Sequence, residues 1–401
     1  MTDCCIVGGG IIGLSLAREL AGRGVGVRVL ARGRGADTTS WAAAGILPPA
    51  PVFPDCSPAD ALTAWSDRLH REWSAELASE TGIDNGLIRS GGLHLARGAD
   101  DEARLRDDLA RWRGRGAEAV LLDRGDLLAL EPALGAGRDA AALSGAMLLP
   151  GEMQIRPSRH LDALEASCRR RGVVVEEAEV REFVVRQRRL ERAVTATGSV
   201  SAGTWILAAG AWTGGLLGHF GVSLDTRPIR GQIVLVNLGH PVLGRIVNRG
   251  LDYLVPRPDG RLLVGSTIED VGFDPHAVPA TVARLRAVAD ELLGAVARDA
   301  AVERSWAGLR PGSPDGAPTI GRVPGHDNVF VSAGHFRAGL HQSTGSAVLL
   351  ADLLTGRTPP LDPAPFAPGR PAPPAGTAPP GSTADYLARE AAAEARRKGA
   401  G

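Results

Sequence analysis

Gly8, Gly10 and Gly13 follow the short apolar run Cys4-Cys5-Ile6-Val7 and lead into a helical stripe of Leu14, Leu16, Ala17 and Leu20. This spacing suits phosphate binding. Gly8 permits a tight turn, Gly10 lets the backbone approach a pyrophosphate, and Gly13 lets the helix close on the strand with its positive end toward the phosphates. Residues 25–30 read as a second strand, the context a glycine triplet needs before it signifies a dinucleotide site. An acidic residue about 20 positions beyond the glycines should then hold the ribose hydroxyls. Ala31 stands there instead, followed by Arg32, and a small residue before an arginine is also how a 2'-phosphate is accommodated. Read locally, NADP and FAD both stay open, as does a solvated-loop role for Arg32 and Arg34.

The chain of 401 residues is long enough for two sizeable cores, and its formal net charge of zero gives no global basic field for nucleic acid or an anionic membrane. No apolar run approaches the length that spans a bilayer. Small-molecule partners are therefore expected. The glycine turn interrupts the N-terminal apolar segment before it could serve as a signal peptide, so a cytoplasmic location is expected. Cys4, Cys5, Cys56 and Cys168 show neither metal-ligand spacing nor a disulfide framework and read as reduced thiols, with no metal implied. A homo-oligomer remains open.

The elements that must position the glycine turn can be read from periodicity. Helices are predicted over 57–80, where Leu62, Trp65, Leu69, Trp73 and Leu77 form a stripe, and over 101–113, 124–130, 157–171, 282–293 and 343–354. Strands are predicted over 88–95, 173–176, 205–209 and 329–332, and the alternation with turns across 227–267 predicts an antiparallel sheet. Small residues around Gly210 let the backbone pass close to something bulky. Proline and glycine dominate 357–381, which reads as a stiff extended linker outside the core, and 384–397 reads as a terminal helix that is solvated or, alternatively, docks on a partner.

Several separated segments then carry a resemblance: 8–20, Thr39-Ser40-Trp41-Ala42-Ala43-Ala44-Gly45-Ile46-Leu47, 207–212, Pro228-Ile229-Arg230-Gly231-Gln232, Tyr253-Leu254-Val255-Pro256, Gly265-Ser266-Thr267 and Trp306-Ala307-Gly308-Leu309-Arg310-Pro311. Their order resembles that of the D-amino acid oxidase superfamily of flavoenzymes, most closely its glycine-oxidising members of thiamine biosynthesis, over about residues 2 to 356. The resemblance favours FAD, bound non-covalently. It implies an α/β fold with a discontinuous, Rossmann-like FAD-binding domain (1–50, 146–216 and 305–357) and an inserted antiparallel-sheet substrate domain (51–145 and 217–304). The linker 358–382 and a C-terminal tail or helix, 383–401, would follow.

By the same resemblance, Ile11, Ile12, Thr39, Ser40, Ala44, Gly45 and Ile46 contact the flavin nucleotide, Val180 meets adenine, and Gly210 lies beside the cofactor, as do Ala31 and Arg32. A last contact segment is His335-Phe336-Arg337-Ala338-Gly339-Leu340, continuing to His341. Amides leading into the helix beyond it, which Ser343 could cap, would stabilise negative charge on the reduced flavin. Arg310 matches the arginine that clamps the substrate carboxylate, Tyr253 an active-site tyrosine, and Arg337 a second arginine. Ile268 would trim the pocket for a small substrate.

The implied reaction is oxidation of glycine by hydride transfer to flavin N5, with oxygen as acceptor, to iminoacetate and then glyoxylate, ammonia and hydrogen peroxide. Two departures stand out. Ala31 predicts looser FAD binding. The polar run Leu340-His341-Gln342-Ser343-Thr344 replaces an apolar one, so His341 is a candidate for tuning the flavin, for touching an altered substrate such as sarcosine, another small amine or a specialised-metabolite precursor, or for a structural hydrogen bond. A flavin-fold partner protein without oxidase activity is the remaining alternative.

Overall fold

Cys4–Val7 is buried at every position, as a central parallel strand covered on both faces must be. It pairs in parallel with Val27–Ala31 on one side and Thr204–Leu207 on the other. The six-stranded sheet continues to Val174–Glu177 at one edge, and through Val329–Ala333 to the antiparallel strand Thr319–Arg322 at the other. The structure, a computed structural model, describes all residues except 1, 34, 36, 37, 375, 400 and 401; Arg34 therefore lies outside the described residues.

Strand alternation divides the core. Cys4, Ile6, Val29 and Ile206 face a layer of helices that includes Ile11–Gly22, Pro58–Thr81, Pro157–Arg170 and Gly339–Thr355. Cys5, Val7, Trp205 and Leu207 face the opposite way, toward the antiparallel sheet Val180–Arg186, Arg189–Thr195, Gly198–Ser201. Trp205 fits that buried layer because its indole N–H donates to the Leu190 carbonyl at 3.0 Å.

The second large sheet has eight strands in the order Ala301–Pro311, Pro228–Asn237, Arg261–Gly265, Asp252–Pro256, Ile246–Arg249, Gly92–Ala96, Gly145–Leu149, Val120–Asp123. All its pairs are antiparallel except Ile246–Arg249 with Gly92–Ala96. Helix Pro279–Leu293 covers it through Leu285, Val288 and Leu292. Gly145–Leu149 and Ala301–Pro311 belong to this sheet, so the expected domain edges at 146 and 305 fall inside its strands. Ala301–Pro311 is held there by pairing along its length with Pro228–Asn237.

Three expectations need correction. The helix predicted from 343 begins at Gly339, so Ser343 sits inside its second turn and donates to the Leu340 carbonyl rather than capping. The proline-rich stretch is no free linker: Phe366 is 1% exposed within the helical core, and the Arg370 guanidinium binds Asp315 at 2.7 Å. The terminal helix Thr383–Gly399 is likewise docked, with Thr383 donating to the Ser313 carbonyl and Tyr386 and Leu387 packed against the body. Composition hid this because a few anchoring side chains hold a stretch otherwise made of proline, alanine and glycine. Among the described residues no helix is long and apolar enough to cross a membrane.

Candidate active site

The glycine turn joins Cys4–Val7 to Ile11–Gly22 as the sequence predicts, and each glycine has a distinct reason. Gly8 has φ +123° and its N–H donates to the Leu30 carbonyl at 2.8 Å; a Cβ there would strike the Ala208 carbonyl. A Cβ on Gly13 would strike the Gly8 carbonyl, so Gly13 serves helix packing and does not line the cleft. A Cβ on Gly10 would come within 3.0 Å of Ser40 Oγ, which itself accepts the Ile11 N–H at 2.9 Å. Gly10 itself offers no side-chain cap, so apart from the Ile11 N–H held by Ser40 the first-turn N–H groups can face an anion. Ile11 and Ile12 line the cleft beside it.

At the far end of the turn, Ala31 is paired with Glu177 of the neighbouring strand and lies against Gly9. Arg32 is not simply solvated: its guanidinium stacks 4.2 Å above the Trp212 ring and stands 3.9 Å from the Glu179 carboxylate. Glu177, Glu179, Val180, Gly210 and Trp212 share this end of the cleft. Glu177 carries no sequence signal, since only the strand pairing brings it to Ala31, whereas Trp212 ends the segment 207–212 and reaches this end through Arg32.

Segment 39–46 closes the middle. Thr39 Oγ1 donates to the Leu309 carbonyl, Gly45 has φ +82° against the Ile155 carbonyl, and Ile46 pairs with Gln154. Arg257, absent from the sequence reading, ties these pieces together by donating to the Ala44 carbonyl at 2.7 Å and to Gln154 Oε1 at 2.8 Å. Burial, with Arg156 nearby, lowers its pKa to about 10, so it remains charged at neutral pH.

The segment 335–341 enters from the parallel sheet. His335 bonds Ser346 Oγ at 3.0 Å, and burial pushes its pKa down to about 3, so the ring is neutral. Phe336, at φ +46°, donates its N–H to the Pro311 carbonyl at 2.9 Å, which joins this segment to the end of the Arg310 strand. Helix Gly339–Thr355 then starts at the cleft with no side-chain cap, and Ala338, Gly339 and Leu340 line the wall. Ser332 also faces the cleft, and its hydroxyl is buried with no partner among the described residues.

His341 borders the cleft, but its Nε2 is 3.2 Å from Asp67 on Pro58–Thr81. Burial opposes ionisation of Asp67, yet His341 and Arg71 outweigh it and hold the carboxyl below its usual pKa. The next residues do the same work: Gln342 donates to Thr63 Oγ1 at 3.0 Å and Thr344 to the Ser66 carbonyl at 3.1 Å. The polar run is thus a seam between two helices.

Elsewhere along the cleft, Arg310 donates to the Thr267 carbonyl at 3.0 Å and to Ser266 Oγ at 3.1 Å. Its guanidinium is recessed enough that lost hydration, reinforced by Arg337, lowers its pKa to about 10, while part of the side chain still reaches the cleft. Tyr253, 7% exposed, lines the same cleft from Asp252–Pro256; a Cβ on the paired Gly265 would collide with its ring. Ile268 does not line the cleft. Thr267 and Glu269 turn toward Gln232 and Arg230, which leaves Ile268 on the other side of the segment against Ile229 and Phe336. Leu251 takes the wall position instead.

These surfaces form one continuous cleft of about 1380 Å³, larger than the roughly 300–1,000 Å³ of an ordinary small-ligand site. It has a glycine turn leading into a helix N-terminus, an unpartnered buried hydroxyl along its wall, and at one end the recessed Arg310 guanidinium with the exposed Arg337 beside it. The residues present therefore fit an extended dinucleotide with a small anionic second ligand. The chain belongs to the DAO family of FAD dependent oxidoreductases, whose model matches residues 3–353. It is similar to a glycine oxidase of Pseudomonas aeruginosa, 38% identical over 367 residues that cover 90% of this chain and 97% of the relative. A glycine oxidase of Pseudomonas putida is 36% identical over 370 residues, 90% of this chain and 97% of the relative. The crystal structure of glycine oxidase from Geobacillus kaustophilus superposes with a TM-score of 0.85 at 33% identity, covering 92% of this chain and 99% of that one.

Proposed function

We propose that the protein oxidises glycine with oxygen to iminoacetate and hydrogen peroxide, water then converting the imine to glyoxylate and ammonia. The observation that carries this reading is that Arg310, Arg337 and Tyr253 line the same cleft, with the Arg310 guanidinium recessed and held by Thr267 and Ser266. Burial and the neighbouring Arg337 disfavour the Arg310 charge, a bound carboxylate would favour it, and a planar fork holds such a carboxylate bidentately. Thr267 and Ser266 fix the Arg310 fork before substrate arrives, and the Tyr253 hydroxyl supplies a further donor. When bound, FAD supplies the chemistry: it takes the hydride from the substrate α-carbon and passes the electrons to oxygen.

Gly8, Gly10, Ile11 and Ile12 would hold the pyrophosphate, with Gly13 keeping the helix against the turn. Thr39, Ser40, Ala44, Gly45 and Ile46 would hold the middle of the cofactor, with Ala31, Arg32, Val180 and Gly210 around adenosine. His335 to His341 would border the ring system, the uncapped helix start at Gly339 favouring negative charge there. Four unpaired thiols, at Cys4, Cys5, Cys56 and Cys168, support action in a reducing cytoplasm. The test is a peroxide assay of yellow, FAD-loaded protein with glycine, sarcosine and D-alanine. Glycine is expected to give the highest kcat/KM, and absence of peroxide from glycine would overturn the reading.

A further inference from the structure

The substrate end contains one side chain from outside the matched family region. The family model ends at residue 353, yet Tyr386 of the terminal helix Thr383–Gly399 lines the cleft with Arg310 and Arg337. The Arg337 guanidinium lies 4.7 Å from the centre of the Tyr386 ring, and Phe336 meets that ring edge-on at 5.5 Å. Arg389, paired with Asp385, lies 5.2 Å from the same ring. Tyr386 and Leu387 complete an apolar cluster with Ile229, Ile268, Phe336 and Leu251. The Ile268 expected to trim the pocket thus acts as backing for the residue that reaches it.

The segment leading to Tyr386 is fastened at three separate places. Phe366 is buried beneath it, Arg370 binds both Asp315 oxygens and donates to Thr319 Oγ1 at 3.0 Å, and Thr383 donates through both its N–H and its hydroxyl to the Ser313 carbonyl. Ser313 lies just beyond Pro311, the end of the strand that carries Arg310. The terminal helix is therefore anchored to the same stretch of chain as the clamp. Proline-rich composition limits the unfolded freedom that such a strap must lose when it docks.

We propose that this C-terminal strap is the outer wall of the substrate compartment, and that Tyr386 is a specificity-determining residue that holds Arg337 and limits the bulk carried on the substrate's α-carbon. The inference rests on the amino acid oxidase reading, and the size limit can be measured with and without turnover. FAD-loaded Tyr386→Ala is expected to lower the ratio of kcat/KM for glycine over D-2-aminobutyrate by ~10-fold or more, the scale of a pocket gaining or losing a few methylenes. It should also admit 2-hydroxybutyrate, read as a perturbation of flavin absorbance, to a site that in the parent enzyme accepts only glycolate. Tyr386→Phe keeps the ring and should preserve both properties. If the alanine variant loses its flavin, Tyr386→Leu carries the same comparison with the apolar packing retained. An unchanged ratio and an unchanged size limit in a flavin-loaded variant overturn the proposal. A parent enzyme that binds glycolate but makes no peroxide from glycine overturns the glycine reading alone and leaves the ligand-size comparison to decide the wall. A parent that does neither overturns both.

Discussion

Gly231 and Arg310 meet across the pairing of Pro228–Asn237 with Ala301–Pro311: a methyl group on Gly231 would occupy the space of the Arg310 guanidinium. The obstructed atoms are the far end of a flexible side chain, so Gly231→Ala should fold and displace the clamp instead. We expect a KM for glycine raised ~10-fold or more with flavin content unchanged, since a misplacement of about 1 Å in a positioning group is costly. Steady-state kinetics alongside flavin absorbance per protein checks both halves. Loss of flavin with normal KM would contradict the displacement.

Arg310 itself separates charge from geometry. Arg310→Lys keeps a cation but loses the fork that Thr267 and Ser266 orient, while Arg310→Ala loses both. The expected order of kcat/KM for glycine is parent above lysine above alanine, the last reduced ~100-fold or more, the scale of a truncated charge-pair contact. Equal activity in all three at limiting glycine would remove Arg310 from the site.

What the sequence disclosed follows from locality. The glycine turn, segment 39–47, Tyr253 and Arg310 are written in contiguous motifs, and each contributes residues to the cleft. Arg257 was invisible because its partners, Ala44 and Gln154, are distant in the chain and offer only a backbone carbonyl and an amide. His341 and its neighbours looked like departures in the site because their partners, Asp67, Thr63 and Ser66, belong to a helix some 280 residues away in sequence, with Gln342 and Thr63 separated by 279. The strap was hidden for the opposite reason: its composition is that of a linker, and a few scattered side chains, among them Phe366, Arg370, Thr383, Tyr386 and Leu387, make it part of the body.

The missing ribose carboxylate at Ala31 directs attention to its strand partner. Glu177 is paired with Ala31, borders the cleft, and would have its carboxylate within 3.3 Å of a Cβ placed on Gly33. A carboxylate from the next strand thus stands near the end from which one is absent. Glu177→Gln is expected to raise the Kd for FAD ~5-fold, the effect of converting a charge-assisted hydrogen bond to a neutral one at a wet site. Flavin titration of the apoprotein measures this without turnover. An unchanged Kd would leave Arg32 and Trp212 as the recognition elements at that end.

Buried histidines set the acid limit of the fold. Burial lowers the pKa of His160 and His335 to about 3 and that of His70 to about 4, from an ordinary 6.5. Each is neutral in the native protein and takes up a proton on unfolding below about pH 6.5, so the unfolded state binds more protons and stability falls as pH falls. The loss begins near 6.5 and continues down to the folded values; at pH 5 it is about 2 kcal/mol for each ring with a folded pKa near 3. Asp67 and Glu80, held below their usual pKa against the cost of burial, add a further loss at lower pH. His160 is the clean probe because it lies outside the cleft, with Nδ1 3.1 Å from the Asn85 amide. His160→Gln should lower Tm at pH 7.5 by removing a packed ring, yet flatten the decline of Tm between pH 7 and 5 relative to the parent. Parallel Tm profiles for the two proteins would show that His160 takes up no proton on unfolding in that range.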